Sequence, residues 1–268
     1  MSFMGAVAAV ALMSGNAFSD QLEDIKARGT LICGTLGTAE PFSFQDPKTR
    51  EIIGFDVDAC KAVAADLGVK LQVQMVAVDA RIPSLMQGRV DILAANLGYT
   101  KARAEQIDYS HSYFVSMQKL LVRADSGIDS REQLKGKRIA ATKGSTSEMA
   151  VRREIPEAQT TTYNDGTAAY LAVVQNKVSA FCSSELNLVK LKDQSEKTQP
   201  LKILDDVLMV EAWGLGVRKG EKNFLDQVNK TLARLETTGE IDVTFKKWFG
   251  NDTIYKMKRE YQIAEIKD

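Results

Sequence analysis

Residues 91–110 read DILAANLGYTKARAEQIDYS, and this stretch indicates the fold of the chain most clearly. Its first residues predict a buried strand that ends in small residues, and Thr100 is placed to cap a short helix that carries Arg103. A helix start exposes backbone N–H groups, and beside an arginine these groups suit a small carboxylate. A capped surface helix whose arginine faces water is an equally good interpretation of this stretch alone.

Strand and helix patterns alternate on both sides of this stretch, which predicts an α/β protein with mostly parallel sheets. Asp56 is placed to cap the first long helix, which ends at Gly68. The patterns predict strands over residues 30–34, 69–78, 90–94, 138–142, 160–163, 178–182 and 211–217, and helices over residues 57–67, 82–86, 146–154, 167–175 and 224–238.

Size and composition are those of an ordinary globular protein. The 268 residues are enough for two lobes, and 44% are hydrophobic and 26% charged. Lys+Arg and Asp+Glu each number 35, so the formal net charge is zero, and no basic cluster alternates with aromatic residues. We therefore expect no nucleic-acid partner. With one histidine and three cysteines that match no metal-ligand spacing, we also expect no metal and no cofactor.

The beginning of the chain has the pattern of an export signal. A short apolar run over residues 5–13 is followed by Ala17-Phe18-Ser19, which predicts a signal peptide over residues 1–19. No Lys or Arg precedes the run, so the true start codon stays open. The alternative is a buried N-terminal helix.

The three cysteines are an odd number, so at least one has no partner within the chain. Cys33 lies in a predicted strand and Cys60 in the helix that follows, so these two are placed to pair. We nevertheless expect Cys33, Cys60 and Cys182 to be buried free thiols.

A second candidate anion site lies at residues 144–148, GSTSE, directly after a predicted strand. A glycine turn and a helix start rich in hydroxyl groups, including Ser145 and Thr146, offer donors to a carboxylate or phosphate. Plain capping by Ser145 and Glu148 explains the same residues. If the carboxyl ends of strands in two lobes face each other, Arg103 and this helix start would clamp a small anion between them.

The order and spacing of these and other short motifs resemble the extracellular solute-binding proteins of family 3, the polar amino-acid receptors of ABC importers. The resemblance extends from about residue 22 to about residue 250. Its motifs are residues 34–35, 41–44 (PFSF), 54–58 (GFDVD), 81–85 (RIPSL), 90–92, 100–103 (TKAR), 108–110, 134–137, 144–146 and 247–249.

The resemblance implies the two-lobed type II periplasmic-binding-protein fold, with two strand crossings as a hinge. Lobe 1 would comprise residues 20–117 and 212–268, and lobe 2 residues 118–211. We expect a monomer that is exported to the periplasm and docks on a membrane permease.

The resemblance also implies roles for individual residues. Arg103 would bind the ligand carboxylate, and Thr146, with Ser145 beside it, would add donors from lobe 2. The loop that contains Asn96 and Gly98 would face the ammonium or the carboxylate.

The chain departs from the family pattern where the ligand ammonium is expected to bind. The usual aspartate is replaced by Ser184, and the usual hydroxyl residue before Thr100 is Gly98. A neutral serine cannot balance a buried ammonium. Either Glu185 or Glu40 replaces the missing carboxylate, or the ligand is not an ordinary α-amino acid. A solvent-facing Glu185 is the alternative.

Arg81 has two open interpretations: it pairs with an acidic ligand side chain, or it faces solvent at a helix start. For the chain as a whole we expect a binding protein and not an enzyme. The alternative is an enzyme like the cyclohexadienyl dehydratases, which resemble these receptors and use a cleft carboxylate as general acid. A third possibility is a sensory ligand-binding module.

Overall fold

The computed structural model describes residues 20–267, and its elements follow the predicted alternation of strands and helices. The predicted signal peptide, residues 1–19, lies outside the described residues. The strands are β1 (Thr30–Thr35), β2 (Thr38–Ala39), β3 (Ser43–Gln45), β4 (Ile52–Ile53), β5 (Lys70–Met75), β6 (Ile92–Leu93), β7 (Ile107–Arg123), β8 (Arg138–Thr142), β9 (Gln159–Tyr163), β10 (Ala180–Ser184), β11 (Leu201–Ile203) and β12 (Met209–Arg218). The α-helices are α1 (Gln21–Arg28), α2 (Phe55–Leu67), α3 (Arg81–Met86), α4 (Lys101–Ala104), α5 (Thr146–Glu154), α6 (Gly166–Val174), α7 (Glu185–Ser195), α8 (Lys222–Thr237) and α9 (Glu240–Phe249).

Two long strands, β7 and β12, connect the two halves of the molecule. The main sheet has the order β5-β1-β6-β12-β7-β10-β8-β9, and β11 also pairs with β7. Pairing is parallel in the outer parts of this sheet, whereas β7 and β12 are antiparallel to each other and to β10 and β6 respectively. This is the two-lobed type II periplasmic-binding-protein fold, in which β7 and β12 are the two crossings.

The buried apolar residues form separate cores on the two sides of the crossings. The larger core draws on residues 25–114 and 213–249, together with Leu186, and is rich in aromatic rings centred on Phe42 and Phe114. Two other clusters draw all their buried members from residues 120–208. Because each side has its own core, each can pack as a unit while the crossing strands join them. The proposed lobe boundaries at 117/118 and 211/212 stay a prediction.

The helix that Asp56 was predicted to cap begins two residues earlier than expected, at Phe55. Gly54 is the residue that precedes the first turn, and Asp56 lies within that turn, fully buried. Its carboxylate accepts hydrogen bonds from the Tyr113 hydroxyl at 2.7 Å and from the Asn96 backbone N–H at 3.0 Å. The prediction of Asp56 as the cap was wrong because the side chain is used for tertiary contacts instead.

The prediction that all three cysteines are free thiols was also wrong. Cys33 on β1 and Cys60 on α2 form a disulfide, and both are fully buried in the larger core. Cys182 on β10 is a buried free cysteine, and burial raises the pKa of its thiol. The strand and the helix pack face to face, which brings two cysteines 27 residues apart in sequence into contact.

Across residues 20–267, no helix has both the length and the apolar character needed to cross a membrane.

Candidate ligand-binding cleft

A cavity of about 110 Å³ lies between the two lobes, against the crossing strands. Its walls are mostly polar on the side of the second lobe, where hydroxyl groups and one exposed carboxylate face it. The lining residues are Leu36, Thr38, Ala39, Val78, Arg81 and Asn96 from the first lobe, Gln118, Glu211 and Trp213 from the crossing strands, and Thr142, Ser145, Thr146, Ser147, Asp165, Gly166, Thr167, Ser183, Ser184, Asn187 and Leu191 from the second lobe.

The cleft brings together most of the residues predicted from sequence. Those that line the cavity are Arg81, Asn96, Ser145, Thr146 and Ser184. Those that lie outside the lining are Arg103, Gly98, Glu185 and Glu40. Of this second group, Arg103 and Gly98 lie directly behind the cavity wall, and their contacts connect them to it.

Arg103 and Arg81 converge on one oxygen of the second lobe. The Arg103 guanidinium donates through Nη1 to the Gly98 carbonyl at 2.7 Å and through Nη2 to the Gly144 carbonyl at 2.9 Å. Arg81 Nη2 lies 3.5 Å from the same Gly144 oxygen. Gly144 precedes the helix start that we predicted as the second anion site, so the two predicted anion sites meet in the folded chain.

The two buried guanidinium groups place two positive charges side by side at the cavity wall. Burial lowers the pKa of Arg81 to about 9, and the positive charge of Arg103 also lowers it, whereas the nearby negative charges of Glu211 and Asp56 act to raise it. Three carbonyl oxygens hold Arg81 in place: Nε donates to Val78 at 2.8 Å, and Nη1 donates to Ala95 at 2.8 Å and Asn96 at 3.0 Å. An anion bound here would relieve the repulsion between the two cations, so the wall suits a carboxylate.

The loop at residues 142–148 is fixed by hydrogen bonds of its own. Ser145 Oγ accepts from the Glu148 N–H at 3.2 Å and donates to the Thr142 carbonyl at 2.6 Å. The Glu148 carboxylate accepts from the Gly144 N–H at 3.0 Å, not from Ser145, so the predicted reciprocal cap is displaced by one residue. Since Ser145 is occupied, Thr146 is the better placed of the two hydroxyls to contact a ligand.

The carboxylates predicted to bind an ammonium are engaged in ion pairs. Glu185 at the start of α7 accepts from Lys119 Nζ at 2.7 Å, and Glu40 lies 3.1 Å from Lys190 Nζ. Ser184, which lines the cavity, is buried and neutral. Their contribution to ligand binding stays a prediction.

A carboxylate that we did not predict lies in the cavity wall. Glu211 on β12 is 6% exposed, and its Oε1 accepts from Gln118 Nε2 and from Trp213 Nε1, both at 2.7 Å. Gln118 in turn accepts from the Ser147 hydroxyl at 2.5 Å, so the network reaches the second lobe. A charged residue inside an otherwise apolar strand was the sequence signal for it, because such residues are rarely buried without a purpose.

Comparisons with known proteins identify the family of the chain. The sequence model of the bacterial extracellular solute-binding proteins, family 3, matches residues 31–251. The glutamine-binding protein GlnH of an ABC transporter in Bacillus subtilis is 30% identical over 237 residues, which cover 87% of this chain and 86% of that protein. The L-cystine-binding protein TcyJ of Escherichia coli is 30% identical over 251 residues, which cover 92% of this chain and 93% of that protein.

A solved structure with the same architecture is that of AncCDT-1, an ancestral amino acid-binding protein described as a precursor of cyclohexadienyl dehydratase. It has a TM-score of 0.77 and 31% identity, and the match covers 85% of this chain and 99% of that one. On the fold, the cleft and these matches together, the chain belongs to the bacterial extracellular solute-binding proteins of family 3.

Proposed function

We propose that this protein captures a polar amino acid in the cleft between its lobes and delivers it to the membrane permease of an ABC importer. The observation that carries the proposal is the distribution of charge in the cavity. Arg81, backed by Arg103, forms a positive wall, and Glu211 forms a negative one on the crossing strand. A zwitterion has both charges within one small molecule, so it matches both walls at once.

The ligand's carboxylate is expected to bind beside the Gly144 carbonyl, where Arg81 and Arg103 converge. An arginine fork binds a carboxylate with two parallel hydrogen bonds, and a buried site strengthens such bonds. The relatives support the same ligand class, since their names describe binding of glutamine and L-cystine.

The wider setting is also part of the proposal. Family membership supports an exported protein, and we propose the periplasm as its location and a monomer as its working state. Ligand binding would favour the closed arrangement of the lobes, which the permease would recognise.

The proposal is tested with purified protein that has been unfolded and refolded to remove bound ligand. The twenty L-amino acids, L-cystine, opines and matched carboxylic acids are screened by thermal shift, and positive compounds are titrated by calorimetry. A ligand at about 100 times its Kd should raise the free energy of unfolding by about 2.7 kcal/mol. If no amino acid in this screen raises the melting temperature, the proposed function is wrong.

The enzyme alternative has less support, although AncCDT-1 places a precursor of such an enzyme on the same fold. A dehydratase would convert prephenate or arogenate to an aromatic product that absorbs in the ultraviolet. We expect no product after prolonged incubation with either compound, and turnover that depends on a cleft carboxylate would establish the enzyme instead.

A further inference from the structure

We propose that Glu211, on the second crossing strand, is the residue that binds the ammonium group of the ligand. This inference rests on the proposed function and adds to it the residue that selects amino acids over other carboxylates. It moves the ammonium position from the second lobe, where Ser184 lies, to the hinge.

The hydrogen bonds of Glu211 hold the carboxylate in one orientation and leave its other oxygen without a partner. Oε1 accepts two hydrogen bonds, from Gln118 and Trp213, each at 2.7 Å. Oε2 is buried and has no hydrogen-bond partner among residues 20–267. An unpaired buried carboxylate oxygen is costly, so the arrangement indicates that a donor outside the chain completes it.

A second unpaired acceptor lines the same cavity. The Asn96 side-chain oxygen is also buried and lacks a hydrogen-bond partner within the described part of the chain. The backbone N–H of Asn96 donates to the Asp56 carboxylate, and the Asn96 backbone has a left-handed φ of 49°. Two buried acceptors without donors in the wall of one cavity favour a ligand that brings N–H groups. An ammonium has three donors and a positive charge, so its chemistry matches both kinds of acceptor and balances the charge of Glu211.

Gly98 provides the space that Glu211 occupies. A Cβ atom at position 98 would lie 2.1 Å from Glu211 Oε2, closer than any packing allows. Any other residue at this position would therefore displace the carboxylate from the cavity wall. Glycine at 98 and glutamate at 211 are thus two parts of one arrangement.

The other carboxylates near the cleft are less suitable for binding the ammonium, because each already has a partner within the chain. Glu185 and Glu40 are paired with Lys119 and Lys190 and lie outside the cavity lining. Asp165 lines the cavity, but its side chain caps α6 by accepting from the Ala168 N–H at 2.9 Å.

The test is the variant Glu211→Gln, whose side-chain oxygen can still accept from Gln118 and Trp213. The probes are the L-amino acid that binds the wild-type protein most tightly and the same acid without its ammonium group, for example L-glutamine with glutaramate or L-glutamate with glutarate. Calorimetry should show a loss of about 100-fold or more for the amino acid, because a buried charge loses its partner. Binding of the deaminated acid should change by less than about threefold, since that acid never contacts the missing charge.

Two other variants are measured beside it. Glu196→Gln removes a charge from the exposed end of α7 and should leave both affinities as in the wild type. Glu185→Gln tests the rival position. Equal loss for both probes in Glu211→Gln, no loss for the amino acid, or a selective loss in Glu185→Gln instead would each overturn the inference. If the wild-type protein binds no amino acid at all, the proposed function fails first; if it binds one and Glu211→Gln binds it equally, only the inference fails.

Discussion

At the level of single residues, the cleft depends on charged groups that are buried before any ligand arrives. Arg103 is 8% exposed and Arg81 is 3% exposed, and both point toward the Gly144 carbonyl. A neutral carbonyl is a weak partner for two cations, so the site gains most from a full negative charge beside this carbonyl.

Arg103→Ala should weaken binding of the preferred amino acid by about 100-fold or more, because the ligand carboxylate loses its fork of donors. Titration calorimetry measures the loss directly. Arg103→Lys is the matched control: it keeps the charge without the planar fork and should recover only part of the affinity. Near-normal affinity in Arg103→Ala would contradict the proposed carboxylate site.

The contact between Gly98 and Glu211 predicts that substitutions at these two positions have non-additive effects on the free energy of unfolding. Gly98→Ala should lower the free energy of unfolding by about 1–3 kcal/mol, because its Cβ overlaps the Glu211 carboxylate. In a Glu211→Ala background the same change should cost less than about 0.5 kcal/mol, since the overlapping atoms are gone. Urea unfolding of the four proteins gives the coupling energy. Equal costs in the two backgrounds would show that the carboxylate does not occupy this space.

Residue types and their spacing predicted part of the cleft. The hydroxyls at 145 and 146, Asn96, Ser184 and Arg81 do line it. Glu211 was missed because strand periodicity identifies the strand but not which side chain reaches a cavity made by a distant loop. Beside the charge of Glu211 within an apolar strand, glycine at position 98 was a second clue, and it could be interpreted only after Glu211 Oε2 was seen next to it.

At the level of elements, α2 is held to the first lobe by two contacts that differ from the sequence predictions. The Cys33–Cys60 disulfide connects it to β1, and Asp56 connects its first turn to β7 and to the Asn96 loop. Alternation of apolar residues predicted the helix and the strand well, because each buries one face. Contacts between elements depend on how the buried faces pack against each other, and the periodicity of the sequence carries no information about that packing.

Removing the disulfide should destabilise the protein without preventing binding. Closing a loop of 27 residues restricts the unfolded chain by about 3–4 kcal/mol in the chain-entropy account. Cys33→Ala/Cys60→Ala should therefore melt at a lower temperature than the wild type, and a reductant should lower the melting temperature of the wild type only. Cys182→Ala is the control for loss of a buried cysteine. A double variant as stable as the wild type would contradict the pairing.

Asp56 should make the free energy of unfolding decrease as the pH rises, the opposite of the usual effect of a carboxylate. Burial raises its pKa to about 6, although hydrogen bonds from Tyr113 and Asn96 act to lower it. Between about pH 4 and about pH 6 the folded protein holds a proton that the unfolded chain releases, so this group makes stability fall as the pH rises. The shift corresponds to about 3 kcal/mol.

Asp56→Asn has no such titration. The free energy of unfolding of the wild type minus that of the variant should therefore decrease by about that amount across this interval, as measured by urea unfolding. A constant difference would show that Asp56 titrates alike in the folded and unfolded states.

At the level of the whole molecule, the lobes are in contact across the cleft. Lys143 lies 3.1 Å from Asp79, and Lys190 lies 3.1 Å from Glu40, in addition to the bond from Arg103 to Gly144. These are the contacts of a closed form. Exposed ion pairs contribute little, so the buried ligand contacts should decide how stable the closed form is.

Comparing Gly144→Ala with Gly136→Ala should separate an effect on lobe closure from an effect on the free energy of unfolding. Gly144 has a φ of +72°, and a Cβ there would lie 3.1 Å from the Asp79 Cα on the other lobe. Gly136 has the same φ, but a Cβ there would meet no heavy atom within 4 Å in the described chain. Both alanine variants should lose about 1–2 kcal/mol of stability from the left-handed backbone.

Only Gly144→Ala should also lose affinity, by about tenfold, because the methyl group lies between the lobes. Calorimetry measures the affinity, and small-angle scattering with saturating amino acid measures closure. Equal affinities in the two variants would mean that this contact does not form in the liganded protein.

The most direct measurement is a crystal structure of the protein with the amino acid that binds it most tightly in the screen. We predict that amino acid in the cavity between the lobes, with its carboxylate beside the Arg103 and Arg81 guanidiniums and its ammonium within hydrogen-bond distance of Glu211 Oε2. An amino acid bound elsewhere, or one bound in the cleft with its carboxylate away from both arginines, would contradict it.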